Sequence, residues 1–73
     1  MNPREIVAHA TALFQNNPAV ARVSYGSPWG FQGADPSMKW WEYVKALLPD
    51  HLDCSHDLIK DRVTITRKPV SRP

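Results

Sequence analysis

Leu52-Asp53-Cys54-Ser55-His56-Asp57-Leu58-Ile59-Lys60-Asp61-Arg62-Val63-Thr64-Ile65-Thr66 is the stretch whose reading decides the fold. Val63, Thr64, Ile65 and Thr66 are all β-branched, stiff at χ1 and suited to a pleated surface, which predicts a strand. The first half admits two readings. As a strand, Leu52 to Ile59 is the hairpin partner of the β-branched run, turning at Lys60-Asp61. As a helix, Ser55 caps a single turn through Ile59. The hairpin is the favoured reading, although Lys60-Asp61 lacks the glycine or asparagine that a tight primed turn prefers.

Towards the N-terminus, Asn2, Pro3 and Glu5 have the spacing of a capping box with proline at the first helical position. Ile6, Val7, Ala10, Leu13 and Phe14 then recur as one helical stripe, and Asn16-Asn17-Pro18 ends it because the residue before proline avoids helical dihedrals. Ala19 to Tyr25 alternates like a half-buried strand, with Ala21, Val23 and Tyr25 on one face and Val20, Arg22 and Ser24 on the other. Gly26 to Ala34 holds all three glycines with Trp29 and Phe31 and reads as a loop. Asp35-Pro36 repeats the cap-plus-proline device, and Trp40, Trp41, Val44, Leu47 and Leu48 follow at helical spacing until Pro49. Glu42 and Lys45 are placed to pair on the polar side of that helix. The predicted architecture is a small α+β domain, residues 1–68, with two helices on one face of a two- or three-stranded antiparallel sheet. Pro69 ends strand pairing, and 69–73 is expected as a flexible basic tail.

A chain of 73 residues has room for one domain, and most of its apolar side chains are needed for its core. The composition, 42% hydrophobic and 22% charged, is that of a globular protein. Cys54 is the only cysteine, so no internal disulfide is available and a reducing cytoplasm is the expected setting. Neither a signal-peptide core nor an apolar run long enough to span a membrane is expected from the pattern. Charge is uneven along the chain. From Lys60 onward, Lys60, Arg62, Arg67, Lys68 and Arg72 stand against Asp61 alone, whereas the preceding residues carry a small acidic excess. Such a terminus steers a protein towards nucleic acid or an acidic protein surface.

No constellation of catalytic type emerges. His51, Asp53, Cys54, His56 and Asp57 are each able to ligate a metal, but no second Cys or His pair completes a zinc site, and on a strand His51 faces away from Cys54 and His56. Ser55-His56-Asp57 is a triad in text only, since consecutive strand side chains diverge where a catalytic Ser, His and acid must converge. Gly26, Gly30 and Gly33 match neither a dinucleotide fingerprint nor a P-loop. The expectation is therefore a non-enzymatic protein without cofactor or metal.

What remains is the aromatic loop and the basic strand. Trp29 and Phe31 either fold back over the core or form a protein-binding surface, aromatic side chains being the usual anchors of such surfaces. Arg62, Thr64, Thr66 and Lys68 would share one strand face, and with Arg67 they offer a modest basic stripe to nucleic acid. The candidate partner-binding residues are Trp29, Phe31, Arg62, Arg67 and Lys68. In length, single-domain make-up and lack of catalytic motif the chain resembles the small proteins that bacteriophages encode to bind host machinery, among them RNA polymerase-binding inhibitors that also act as antiterminators. Trp29-Gly30-Phe31 and Arg67-Lys68 are compatible with that resemblance, which implies inhibition of host transcription through contact with a polymerase subunit. The alternative is a small nucleic-acid-binding module that uses the basic C-terminal strand and tail.

Overall fold

The computed structural model describes residues 2–68; the tail expected at 69–73 lies outside the described residues. Helix α1 is Pro3–Asn16, strand β1 Arg22–Gly26, helix α2 Trp40–Leu47, strand β2 Leu52–Asp57 and strand β3 Arg62–Arg67. The strands form one antiparallel sheet in the order β1-β3-β2, with both helices on the same face, so the α+β expectation holds with three strands.

α1 starts where its cap dictates. The Asn2 side chain accepts the Glu5 N–H at 2.9 Å, and the Glu5 carboxylate accepts the Asn2 N–H at 3.2 Å, satisfying two otherwise orphaned donors. Pro3, Ile6, Ala10 and Phe14 form its buried stripe, with Val7 packed alongside. α2 begins later than Asp35-Pro36 suggests. Asp35 instead closes a turn of its own, accepting the Ser37 N–H at 2.9 Å and the Ser37 hydroxyl at 2.7 Å. The helix starts after Lys39, whose N–H is taken by Glu42 at 2.7 Å. That bond gives Glu42 a capping role, and no ion pair joins it to Lys45 among the described residues.

The segment 52–66 is a hairpin, but its turn spans 58–61 and β2 stops at Asp57 rather than Ile59. The reason is Asp57, whose carboxylate accepts the N–H groups of Ile59 at 2.9 Å and Lys60 at 3.2 Å and so folds the chain two residues early. Asp61 completes the turn in the left-handed region, φ 51°, a conformation that aspartate tolerates.

Register assigns the sheet faces. Val23 pairs Ile65 and Tyr25 pairs Val63, while Cys54 pairs Ile65 and His56 pairs Val63. These residues line the helix side, where Leu52, Cys54, Val63 and Ile65 bury against Ile6, Ala10, Phe14 and Val44. Arg22, Ser24, Arg62, Thr64, Thr66, Asp53, Ser55 and Asp57 share the other, uncovered face. The Lys68 N–H donates to the His51 carbonyl at 2.9 Å, which fixes the ladder phase. Asp53, Ser55 and Asp57 bond β3 through their backbones; Val23 and Tyr25 do so on its other side.

Candidate functional site

Among the described residues four large apolar side chains are exposed: Leu47 on α2, at 45%, and three others that follow strand ends at one end of the sheet. Trp29 is 99% exposed, Leu58 82% and Ile59 96%. β1 finishes at Gly26, opposite Arg62, and β2 finishes at Asp57, also opposite Arg62. Trp29 follows the first strand end by three residues, and Leu58-Ile59 follow the second directly. With strands about 4.8 Å apart, these strand ends lie roughly 10 Å from each other.

Within the segment that follows β1 opens a cleft of about 420 Å³ whose walls include Ser27, Pro28, Phe31, Met38, Lys39 and Trp40. Phe31 is half-buried and packs edge-on against Tyr43 at 5.5 Å between ring centres. The Tyr43 hydroxyl in turn accepts the Asp35 N–H at 2.7 Å and donates to the Asp35 carbonyl at 3.2 Å, pinning the loop to α2. Gly33 makes this possible: a side chain there would begin 2.5 Å from the Tyr43 ring.

The hairpin turn is tied to the cleft wall. Asp61 Oδ1 accepts the Trp40 indole N–H at 3.1 Å and bonds His56 Nε2 at 2.8 Å. His56 stacks on Trp41, ring centres 4.7 Å apart and planes 12° from parallel, and meets Trp40 edge-on at 5.8 Å. The hydrogen bonds from His56 and Trp40 hold the Asp61 carboxyl below its ordinary value. Both adjacent tryptophans of α2 thus pack at the core margin and share His56 between them. The cluster fixes the turn that carries Leu58 and Ile59.

The five sequence-derived candidates separate in space. Trp29, Phe31 and Arg62 meet at this end. Arg67 and Lys68 lie at and just past the opposite end of β3, five and six residues from Arg62 or roughly 17–20 Å away. Arg67 is engaged within the fold. Its guanidinium donates to the carbonyls of Phe14 at 2.9 Å, Asn17 at 3.1 Å and Val20 at 3.1 Å, and lies over the Phe14 ring at 4.8 Å. α1 has no basic residue in its last turn, so Arg67 closes that helix from outside. Arg62 and Lys68 do share the uncovered face with Thr64 and Thr66, but Asp53 and Asp57 share it too.

The metal-type residues are spent elsewhere. Cys54 is buried, which raises its thiol pKa, and His9 bonds the Tyr25 hydroxyl at 2.6 Å, far from any pairing with Cys54. Among the described residues no group of three or more His, Cys, Asp or Glu side chains gathers to hold an ion. Leu58 and Ile59 are the site residues the sequence reading missed. Their signal was Asp57, a turn-opening aspartate that converts two apparent strand residues into a turn tip.

These features define a small α+β domain with an apolar, cleft-bearing end. The chain matches no protein-family model, no curated protein and no solved structure.

Proposed function

We propose that this protein is a non-enzymatic regulator that docks on a larger protein assembly through the end bearing Trp29, Phe31, Leu58 and Ile59. Host RNA polymerase is the leading target, and inhibition or antitermination of transcription in the cytoplasm is the outcome. The supporting observation is that three strongly exposed apolar side chains, Trp29, Leu58 and Ile59, follow strand ends that lie together at one end of the sheet. A tryptophan buries 150–250 Å² on contact, worth roughly 4–6 kcal/mol at about 25 cal/mol per Å² before association costs. A folded domain that leaves such a side chain wholly in water forgoes that gain until a partner covers it. Arg62 at the same end supplies a positive rim for an acidic partner. The nucleic-acid reading draws less support, because Arg67 is engaged by α1 and Arg62, the other basic residue of β3, stands opposite Asp57 on a face it shares with neutral threonines.

The test is direct binding of the purified protein to purified bacterial RNA polymerase by interferometry, with promoter transcription in parallel. Binding with loss of transcript is expected. Trp29→Ala should weaken binding about thirtyfold, the cost of a hot-spot tryptophan, with its thermal midpoint unchanged. Absence of polymerase binding, or equal binding by Trp29→Ala, overturns the proposal.

A further inference from the structure

The two edges of the sheet are chemically different, and we propose that the open one, along β1, accepts an extended acidic segment of another protein as a fourth strand. The edge adjoins the apolar end at Gly26 and Arg62, but the proposal rests on the edge's own backbone groups and stands without the reading of that end.

Because Val23 and Tyr25 spend their backbone groups on β3, the N–H and C=O groups of Arg22, Ser24 and Gly26 point away from the sheet. All three residues are exposed, and among the described residues none of these groups has a hydrogen-bond partner. The β2 edge is partly closed from within, two of its three outward N–H groups being taken. There the Leu52 N–H donates to the Pro49 carbonyl at 3.1 Å and the Cys54 N–H to the Asp53 carboxylate at 2.9 Å. Unpaired strand edges are templates for strand addition, in which main-chain bonds supply affinity and alternate side chains supply selectivity.

The side chains beside the edge define the occupant. On the uncovered face stand Arg22 and Arg62, and Arg62 reaches across from β3 until its Nη1 lies 3.4 Å from where a side chain would begin on Gly26. Neither arginine has a carboxylate within ion-pair distance among the described residues, the one ion pair being His56–Asp61. Of the acids of this face, both on β2, Asp57 stands opposite Arg62 but its carboxylate accepts the N–H groups of Ile59 and Lys60, and Asp53, opposite Thr66, accepts the Cys54 N–H. On the helix side, β1 presents half-buried Val23 and Tyr25. A fourth strand therefore places acidic side chains beside the two arginines and apolar ones beside Val23 and Tyr25, an alternation of acid and apolar residues. A second copy of this chain fits poorly: a two-fold antiparallel pairing about Ser24 sets Arg22 against Gly26 of the second copy, under its Arg62, so cations oppose each other twice.

The experiment uses the full chain and a synthetic peptide alternating Asp and Val, with an alternating Lys and Val peptide as control, followed by amide NMR and hydrogen exchange. The Asp–Val peptide should slow exchange at Arg22, Ser24 and Gly26 at least about tenfold and leave Val23 and Tyr25 unchanged. Arg22→Glu with Arg62→Glu should lose about tenfold or more in affinity for that peptide and gain binding of the Lys–Val peptide, a gain only a folded variant can show. Ser24→Pro removes an edge N–H that the β1–β3 ladder does not use and should abolish binding. Unaltered exchange at the three amides under saturating peptide refutes the proposal, as does equal binding of both peptides. Protection of those amides that rises with protein concentration in the absence of peptide also refutes it, assigning the edge to a second copy.

Discussion

Replacing Arg67 by alanine tests whether the residue that looks most like a partner contact is a part of the fold. Its guanidinium makes three hydrogen bonds to carbonyls at and beyond the end of α1 and lies over Phe14. A cation at a helix C-terminus contributes about 0.3–1 kcal/mol, a partly exposed cation–π contact about 0.5–1 kcal/mol, and the part-buried bond to the Phe14 carbonyl about 1 kcal/mol more. The expected loss is about 2–3 kcal/mol. A chain of this length holds roughly 4–11 kcal/mol in total, so the thermal midpoint should fall by about 10–20 °C. Urea denaturation at neutral pH, read by tryptophan fluorescence and circular dichroism, measures it, with an unchanged m-value identifying a true stability effect. Arg67→Lys should recover the charge–helix part, about 0.5–1 kcal/mol, and Arg67→Met none. Loss below about 0.5 kcal/mol, the range of ordinary surface substitutions, or equality of Met with Arg, refutes the reasoning. At temperatures where the alanine variant is folded, its polymerase affinity should equal that of the parent protein.

The carboxyls of Asp61, Asp57 and Asp35 are held low, by His56 and Trp40, by the turn N–H groups of Lys60 and Ile59, and by Ser37 respectively. A lowered folded-state pKa contributes stability that is complete above the ordinary carboxylate range, about pH 4, and is lost as pH falls through the lower folded values. Acid titration monitored by circular dichroism should show this loss, and Asp61→Asn should flatten it; an unchanged acid slope in that variant counts against the His56–Trp40 contacts. Cys54, buried and with a raised thiol pKa, should react with iodoacetamide only as the protein unfolds, so labelling at pH 8 without denaturant should be more than about a hundredfold slower than in urea. Gly33→Ala should cost about 1–3 kcal/mol, because the new methyl group displaces the Tyr43 ring and its bonds to Asp35. Leu58→Ser with Ile59→Ser should leave the urea midpoint unaltered while weakening polymerase binding, and a lowered midpoint would mean the turn tip packs on the domain.

Local chemistry was readable wherever one residue type dominates the outcome. The Asn2–Glu5 box, the stripe through Ile6, Ala10 and Phe14, and the β-branched run of β3 all form as their own physics dictates. The errors fall where a short polar side chain had two uses. Asp35 and Asp57 both bend the chain through side-chain bonds to following N–H groups, the first delaying α2 and the second shortening β2. Neither outcome shows in hydrophobic periodicity. Of the candidate residues, Trp29, Phe31 and Arg62 fall towards one end of the sheet because β1 ends at Gly26 opposite Arg62 and the aromatic segment follows it. The role of Arg67 within the fold was not legible, since its partners lie some fifty residues away on α1 and in the turn after it.

The unequal sheet edges also bear on how the molecule behaves when concentrated. Growth of sheet upon sheet into a fibre requires two receptive sides, one to be capped and one to go on capping. Here the Cys54 and Leu52 N–H groups on one side are already taken, so strand addition is favoured at the β1 edge and handicapped at the other. A chain rich in strand-forming residues can therefore offer a backbone template to a partner while restraining its own growth by the same route.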